Sequence, residues 1–140
     1  MTRGLTDTYA DSRQRFLDSA RRAGAGVNTF DHPMRGMDGE ELAIDVATAG
    51  PADADAVLLI VSGTHGVEGF TGSALQHEWL EHRSAARPSG LRVVLVHALN
   101  PFGFAWVRRV NEDNVDLNRN FVDWSQPPPA NEDYGGLAQL

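Results

Sequence analysis

The 140 residues suit one domain and suffice to bury a core; Leu, Ile, Val and Phe make up 33 of them, above the roughly 20% that marks disordered chains. Twelve basic against nineteen acidic residues leave a net charge of -7, which argues against nucleic acid and anionic membrane as partners. Every basic residue is Arg and there is no Cys, which excludes Lys Schiff-base chemistry, disulfides, thiolate nucleophiles and Cys-ligated zinc.

In chain order, the polar start from Met1 to Arg15 lacks a signal-peptide core, and the longest aliphatic run, Ala56 to Val61, is too short to span a bilayer. The expectation is a soluble, cytoplasmic protein. Tyr9, Phe16, Ala20 and Ala23 recur at helical spacing, with Gly24 and Gly26 as the stop signal. A strand over 27–32 and a second over 42–47 flank the turn dipeptide Asp38-Gly39, which suggests an antiparallel edge. Val57 to Val61 is apolar on both faces, the pattern of a central strand covered by helices. Helical spacing through Phe70, Ala74, Leu75 and Trp79 to Arg83 leads to a second such strand, Leu91 to Val96. Strand, helix, strand with a tight first turn predicts a parallel βαβ unit, so the fold class is α/β. From Asn100 to Phe121 the periodicity fades, and Gln126 to Asn131 contains Pro127-Pro128-Pro129. Residues 1–125 read as one domain portion and 126–140 as a Pro-rich polar tail or a truncated continuation.

Ligands of open parallel sheets bind beyond the carboxyl ends of the strands, so the loops leaving Val61 and Val96 are the places to look. The first reads Ser62-Gly63-Thr64-His65-Gly66-Val67-Glu68-Gly69. His-x-x-Glu at a turn entering a helix is a zinc-ligand spacing, since both side chains can converge on one ion. On spacing alone His65 reads equally as a turn histidine bonded to backbone, and Glu68 as a charge favoured at a helix N-terminus. The second loop ends in Asn118-Arg119, preceded by Arg108-Arg109: planar donors for a carboxylate and a cation for a developing oxyanion. His97, at the end of its strand, reads as a buried, hydrogen-bonded histidine in preference to a third metal ligand, and Asp116 and Asn120 as braces of the loop backbone. Phe102, Phe104, Trp106 and Phe121 read as core or loop anchors, and His77, Glu78, Glu81 and His82 as a solvated helix face. His32 has no partner identifiable from sequence.

The order His65-x-x-Glu68, Asn100-Pro101-Phe102-Gly103-Phe104, Arg109 and Asp116-Leu117-Asn118-Arg119-Asn120-Phe121 resembles the zinc carboxypeptidase family. Gly63-Thr64-His65-Gly66-Val67-Glu68-Gly69-Phe70 is most similar to a bacterial branch of it known as a domain of unknown function. The resemblance covers residues 57–124, the front part of such a domain. It implies a three-layer α/β/α zinc-exopeptidase-like fold with a mixed, largely parallel central sheet. It also implies zinc as cofactor, His65 and Glu68 as metal ligands, Arg109 (preferred to Arg108) on the oxyanion, and Asn118 with Arg119 on the substrate's terminal carboxylate. The third ligand, a His, and the general base, a Glu, would lie downstream of residue 140. The implied activity is hydrolysis of an amide next to a free carboxylate, with a peptide or N-acyl amino acid as substrate. The alternatives are an N-acyl amino acid deacylase of the aspartoacylase and succinylglutamate desuccinylase type, or a non-catalytic metal- or carboxylate-binding fragment.

Overall fold

The computed structural model describes residues 5–119, 121, 123 and 125–127. Asn120, expected to brace the loop, and residues 128–140, most of the expected tail, lie outside the described residues.

Helix α1 (Tyr9–Arg22) starts at Thr8, whose hydroxyl accepts from the Asp11 N–H at 3.1 Å, filling one orphan donor of the first turn. It ends as the glycines foretell: the N–H of Gly24 reaches Arg21 O, and that of Ala25 reaches Ala20 O. Strands β1 (Gly26–Arg35) and β2 (Glu41–Ala49) pair antiparallel around the expected turn. β1 outruns its predicted end at His32, but its register breaks between Asp31 and Arg35, where Pro33 has no N–H to give. Next come β3 (Ala56–Val61), α2 (Gly66–His82), one 3-10 turn at Ser84–Ala86, and β4 (Leu91–His97). β3 and β4 are parallel, with Val61 beside Val96, as the βαβ pattern requires.

The four strands run in the order β1-β2-β4-β3. The fold is mixed α/β. Among the described residues the parallel share is smaller than expected: β1/β2 and β2/β4 are antiparallel and β3/β4 alone is parallel, because a hairpin feeds the sheet on one side. Among the described residues β3 lies last in the strand order, and Val57, Leu58, Leu59 and Val61 are exposed. The described residues build two of the expected three layers. Val57, Leu59 and Val61 share one face of the sheet with Val94, Val96, Ile44, Val46 and Phe30, and no described side chain of the core clusters lies on it.

Beyond β4, the short helix α3 (Pro101–Ala105) occupies a stretch whose periodicity gave no helix. Its signal is a cap rather than a period: Asn100 Oδ1 accepts from Gly103 N at 2.7 Å, and Pro101 takes the first helical position. No helix among the described residues is long and apolar enough to cross a membrane.

Two apolar clusters hold these elements together. Phe16, Ala20, Ala47, Leu80, Val93 and Leu95 join α1 and α2 to the sheet. Tyr9, Leu42, Ala98, Phe102, Phe104 and Ala105 form the second under the strand ends, with Phe70 packed against it. Phe104 meets Tyr9 and Phe70 edge-on at 5.5 and 4.8 Å, so the ring of α3 anchors α1 and α2 together.

Candidate metal and carboxylate site

The paired ends of β3 and β4 launch both motif loops from the same edge of the sheet. Backbone bonds from Ser62 N to Val96 O, Leu99 N to Ser62 O and Asn100 N to Gly63 O, each 2.9 Å, keep them side by side. Gly63 sits at φ +66°, a left-handed conformation that L side chains rarely adopt. Gly66 permits a close approach: a Cβ there would lie 1.8 Å from Gly103 O, so the first turn of α2 seats directly on α3. Its N–H donates to Arg108 O at 2.9 Å, which ties the second loop to the same helix start.

His65 is the N-cap residue of α2, but its side chain makes no capping bond. The imidazole is instead held from two sides. Nε2 lies 2.9 Å from Asp116 Oδ1, and Nδ1 lies 3.6 Å from Glu68 Oε1. Glu68 stands in the first helical turn, where the helix dipole favours a carboxylate, and its side chain is two-thirds exposed. Asp116 is the hub. Oδ1 also accepts from Asn118 N at 2.9 Å, and Oδ2 accepts from Arg109 Nε at 2.8 Å. The bond from His65, with those from Asn118 N–H and Arg109, holds the Asp116 carboxyl down to about 2. In the neutral ring the acceptor-only carboxylate at 2.9 Å takes the proton on Nε2, and Nδ1, beyond hydrogen-bond range of Glu68, keeps the lone pair turned toward it.

Two donors each 2.1 Å from one tetrahedral ion stand about 3.4 Å apart, so the Nδ1 to Oε1 separation of 3.6 Å fits zinc ligation by His65 and Glu68. A catalytic zinc takes three protein ligands. Among the described residues no group of three His, Cys, Asp or Glu is placed to hold a metal ion.

Arg108 and Arg109 part company in space. The Arg108 guanidinium lies 5.9 Å over the Phe102 ring and donates to Asn114 Oδ1 at 3.2 Å, both structural contacts. Arg109 reaches the His65 cluster through Asp116. Asn118 and Arg119 are exposed and linked by a bond from Arg119 Nη1 to Asn118 O at 3.1 Å; no described hydrogen bond joins their side chains to His65 or Glu68. Asp116, read from sequence as a backbone brace, does brace the loop and also ties His65 to Arg109. Its position two residues before Asn118-Arg119 gave no sign of that, because the bond to His65 spans 51 residues.

Other expectations shift. His97 is fully buried and hydrogen-bonded, as read, with Nε2 2.9 Å from Ser73 Oγ. His77 leaves the solvated face assigned to it: it is buried, with Nδ1 2.6 Å from Ser19 Oγ, while Glu78 and His82 are exposed. Glu81 pairs with Arg22. Phe102 and Phe104 are core, but Phe121 is 83% exposed. His32 gains a partner, Glu112, at 3.2 Å. A cavity lined by Arg22, Gly50, Glu81 and Arg87 lies at the far end of the strands, away from these motifs.

No curated protein matches the chain. Among solved structures it is similar to a candidate metallopeptidase from Shewanella denitrificans OS217 at 23% identity and a TM-score of 0.58, over 81% of this chain and 41% of that one. A candidate metallopeptidase from Shewanella amazonensis SB2B is similar at 22% identity and a TM-score of 0.58, over 93% of this chain and 50% of that one. The glutaminyl cyclase of Tannerella forsythia is similar at 18% identity and a TM-score of 0.51, over 89% of this chain and 50% of that one. At these identities the likeness is one of fold, and the chain spans half or less of the length of the solved chains it matches. The model of one family matches residues 5–140, and by that match the chain belongs to the family described as a protein of unknown function, DUF2817.

Proposed function

We propose that this chain carries the front half of the active site of a zinc-dependent amide hydrolase of the carboxypeptidase type, acting on a peptide or N-acyl amino acid with a free carboxylate. The observation that supports the reading most is the bond from His65 Nε2 to Asp116, which turns Nδ1 toward Glu68. His65 Nδ1 and the Glu68 carboxylate are the zinc ligands in this reading, and the resemblance assigns the third ligand, a His, and the general base, a Glu, to positions beyond Leu140. When bound, zinc supplies Lewis-acid polarisation of the scissile carbonyl.

The chain's own residues do the rest. Asp116 fixes the ring and tautomer of His65. Arg109 has committed Nε to Asp116, so its other N–H groups are the donors for the oxyanion that develops at the carbonyl. Asn118 and Arg119 stand on a turn closed by Arg119 N to Asp116 O at 3.0 Å and clamp the terminal carboxylate. The fold shared with Tannerella forsythia glutaminyl cyclase does not by itself select between hydrolysis and cyclisation, so the clamp carries the choice.

Elemental analysis of the purified full-length native protein tests the metal. We expect about one zinc per chain, as one ligand set implies, and background levels in the double variant His65→Ala, Glu68→Ala. Equal zinc in both proteins refutes the ligand assignment. Hydrolysis of carboxylate-ended peptides in preference to amide-capped ones, with a raised KM in Arg119→Ala, tests the clamp, and indifference to the cap refutes it.

A further inference from the structure

The loop after α3 holds Arg109 and Asp116, yet between them it is closed on itself. Asn111 N–H donates to Val115 O, Asn114 N–H to Asn111 O, and Val115 N–H to Asn111 Oδ1. Asn114 bonds back to Arg108, whose backbone is tied to Gly66 and Gly103; beyond that base, among the described residues, residues 109–119 reach other elements through two side chains. One is Asp116 on His65. The other is Glu112, whose Oε1 lies 3.2 Å from Nε2 of His32, a residue 80 positions away in β1.

His32 sits where the β1/β2 register breaks, so its side chain is released from the regular alternation of the strand. The Met34 N–H donates to His32 Nδ1 at 3.2 Å, which makes that nitrogen the acceptor and places the ring's proton on Nε2, facing the Glu112 carboxylate. The neutral imidazole is thus already a correctly oriented donor, half-buried with Glu112, and the contact needs no added proton. Trp106 Nε1 donates to Arg35 O at 3.2 Å, so the same irregular stretch of β1 grips the loop twice.

We propose that His32 is a positioning residue: through Glu112 it fixes the loop that carries Asp116 to His65, and so sets which nitrogen of His65 faces Glu68. The consequence for zinc rests on the function proposed above; the consequence for the His65 tautomer does not.

Nitrogen-15 NMR of the imidazoles in the metal-free full-length native protein, at a pH where they are neutral, reads the tautomer directly. Zinc titration against a competing chelator reads affinity, and far-UV circular dichroism checks folding. The unmodified chain shows His65 with its proton on Nε2. His32→Ala and Glu112→Ala each convert it to a tautomer mixture, and zinc affinity falls by less than the roughly 10-fold to 100-fold cost of removing a group bonded directly to a ligand. His32→Gln, whose amide keeps an N–H toward Glu112, restores both readings. A single Nε2–H tautomer in folded Glu112→Ala and His32→Ala overturns the proposal, as does a loss that His32→Gln fails to repair. A tautomer that responds in a full-length native protein that binds no zinc upholds the positioning role and rejects the metal reading.

Discussion

His65 and His97 stand at the ends of neighbouring parallel strands, and their surroundings give them opposite chemistry. His97 closes β4 with no exposed surface, stacked 4.6 Å from Phe16, and its Nδ1 is buried without a hydrogen-bond partner. Burial pushes its imidazole down to about 4, so it stays neutral and serves packing. His65, four residues past β3, reaches the rim, where a carboxylate orients one nitrogen and a second carboxylate faces the other. Residue type and the end of the sheet are shared; access and carboxylate partners are not. A ligand needs a free lone pair with an open approach, and a core histidine has neither an approach nor a charge to offer.

That contrast can be broken most forcefully from the buried side. Phe16→Ala removes the ring under His97 and is expected to cost about 3–5 kcal/mol in denaturant unfolding, while zinc uptake by the folded fraction persists. Loss of zinc at preserved stability in this variant would show that the two regions are not separate. At the rim the effects invert. Asp116→Asn keeps the shape but weakens the bond to His65, and zinc affinity is expected to drop about 10-fold to 100-fold with the unfolding midpoint unchanged.

Acid sharpens the comparison, because the two groups answer in different windows. His97 has a folded value below its unfolded one, so between pH 6.5 and about 4 the unfolded chain takes up a proton that the native chain refuses, and stability falls as pH falls. In His97→Gln that part of the slope disappears; a stability difference between the two proteins that does not vary with pH refutes the buried neutral assignment. Asp116 contributes fully above the ordinary carboxylate value of 3.8, and its contribution fades as pH drops through about 2. The smallest effect belongs to Arg108→Ala, where loss of the contact over Phe102 is expected to cost about 0.5–1 kcal/mol and leave KM unchanged. A larger KM effect there than in Arg109→Ala would reverse the assignment of the two arginines.

How far the chain could be read before its fold was known differs by kind of signal. α1, the Asp38-Gly39 turn and the β3/β4 pair were legible because they depend on period and turn chemistry within a few residues. α3 was hidden, since five residues are too few for a helical period and only its Asn100 cap and Pro101 announce it. The place of β3 in the strand order is not legible, because an apolar strand has the same sequence pattern whichever strands lie beside it. Within the site, His65 and Glu68 share one turn and were legible as a pair. Asp116 and His32 were not, because their partners lie 51 and 80 positions away.

Local sequence by itself therefore determined the elements, the parallel unit and the short-range His-x-x-Glu pairing, all products of steric and spacing rules that act over a turn or two. The folded chain settles which histidine is sealed and which is presented, and which of two adjacent arginines shares a carboxylate with the imidazole. The physical reason is that burial and hydrogen-bond partnership depend on what the folded chain brings alongside each side chain, and distance along the sequence does not encode that.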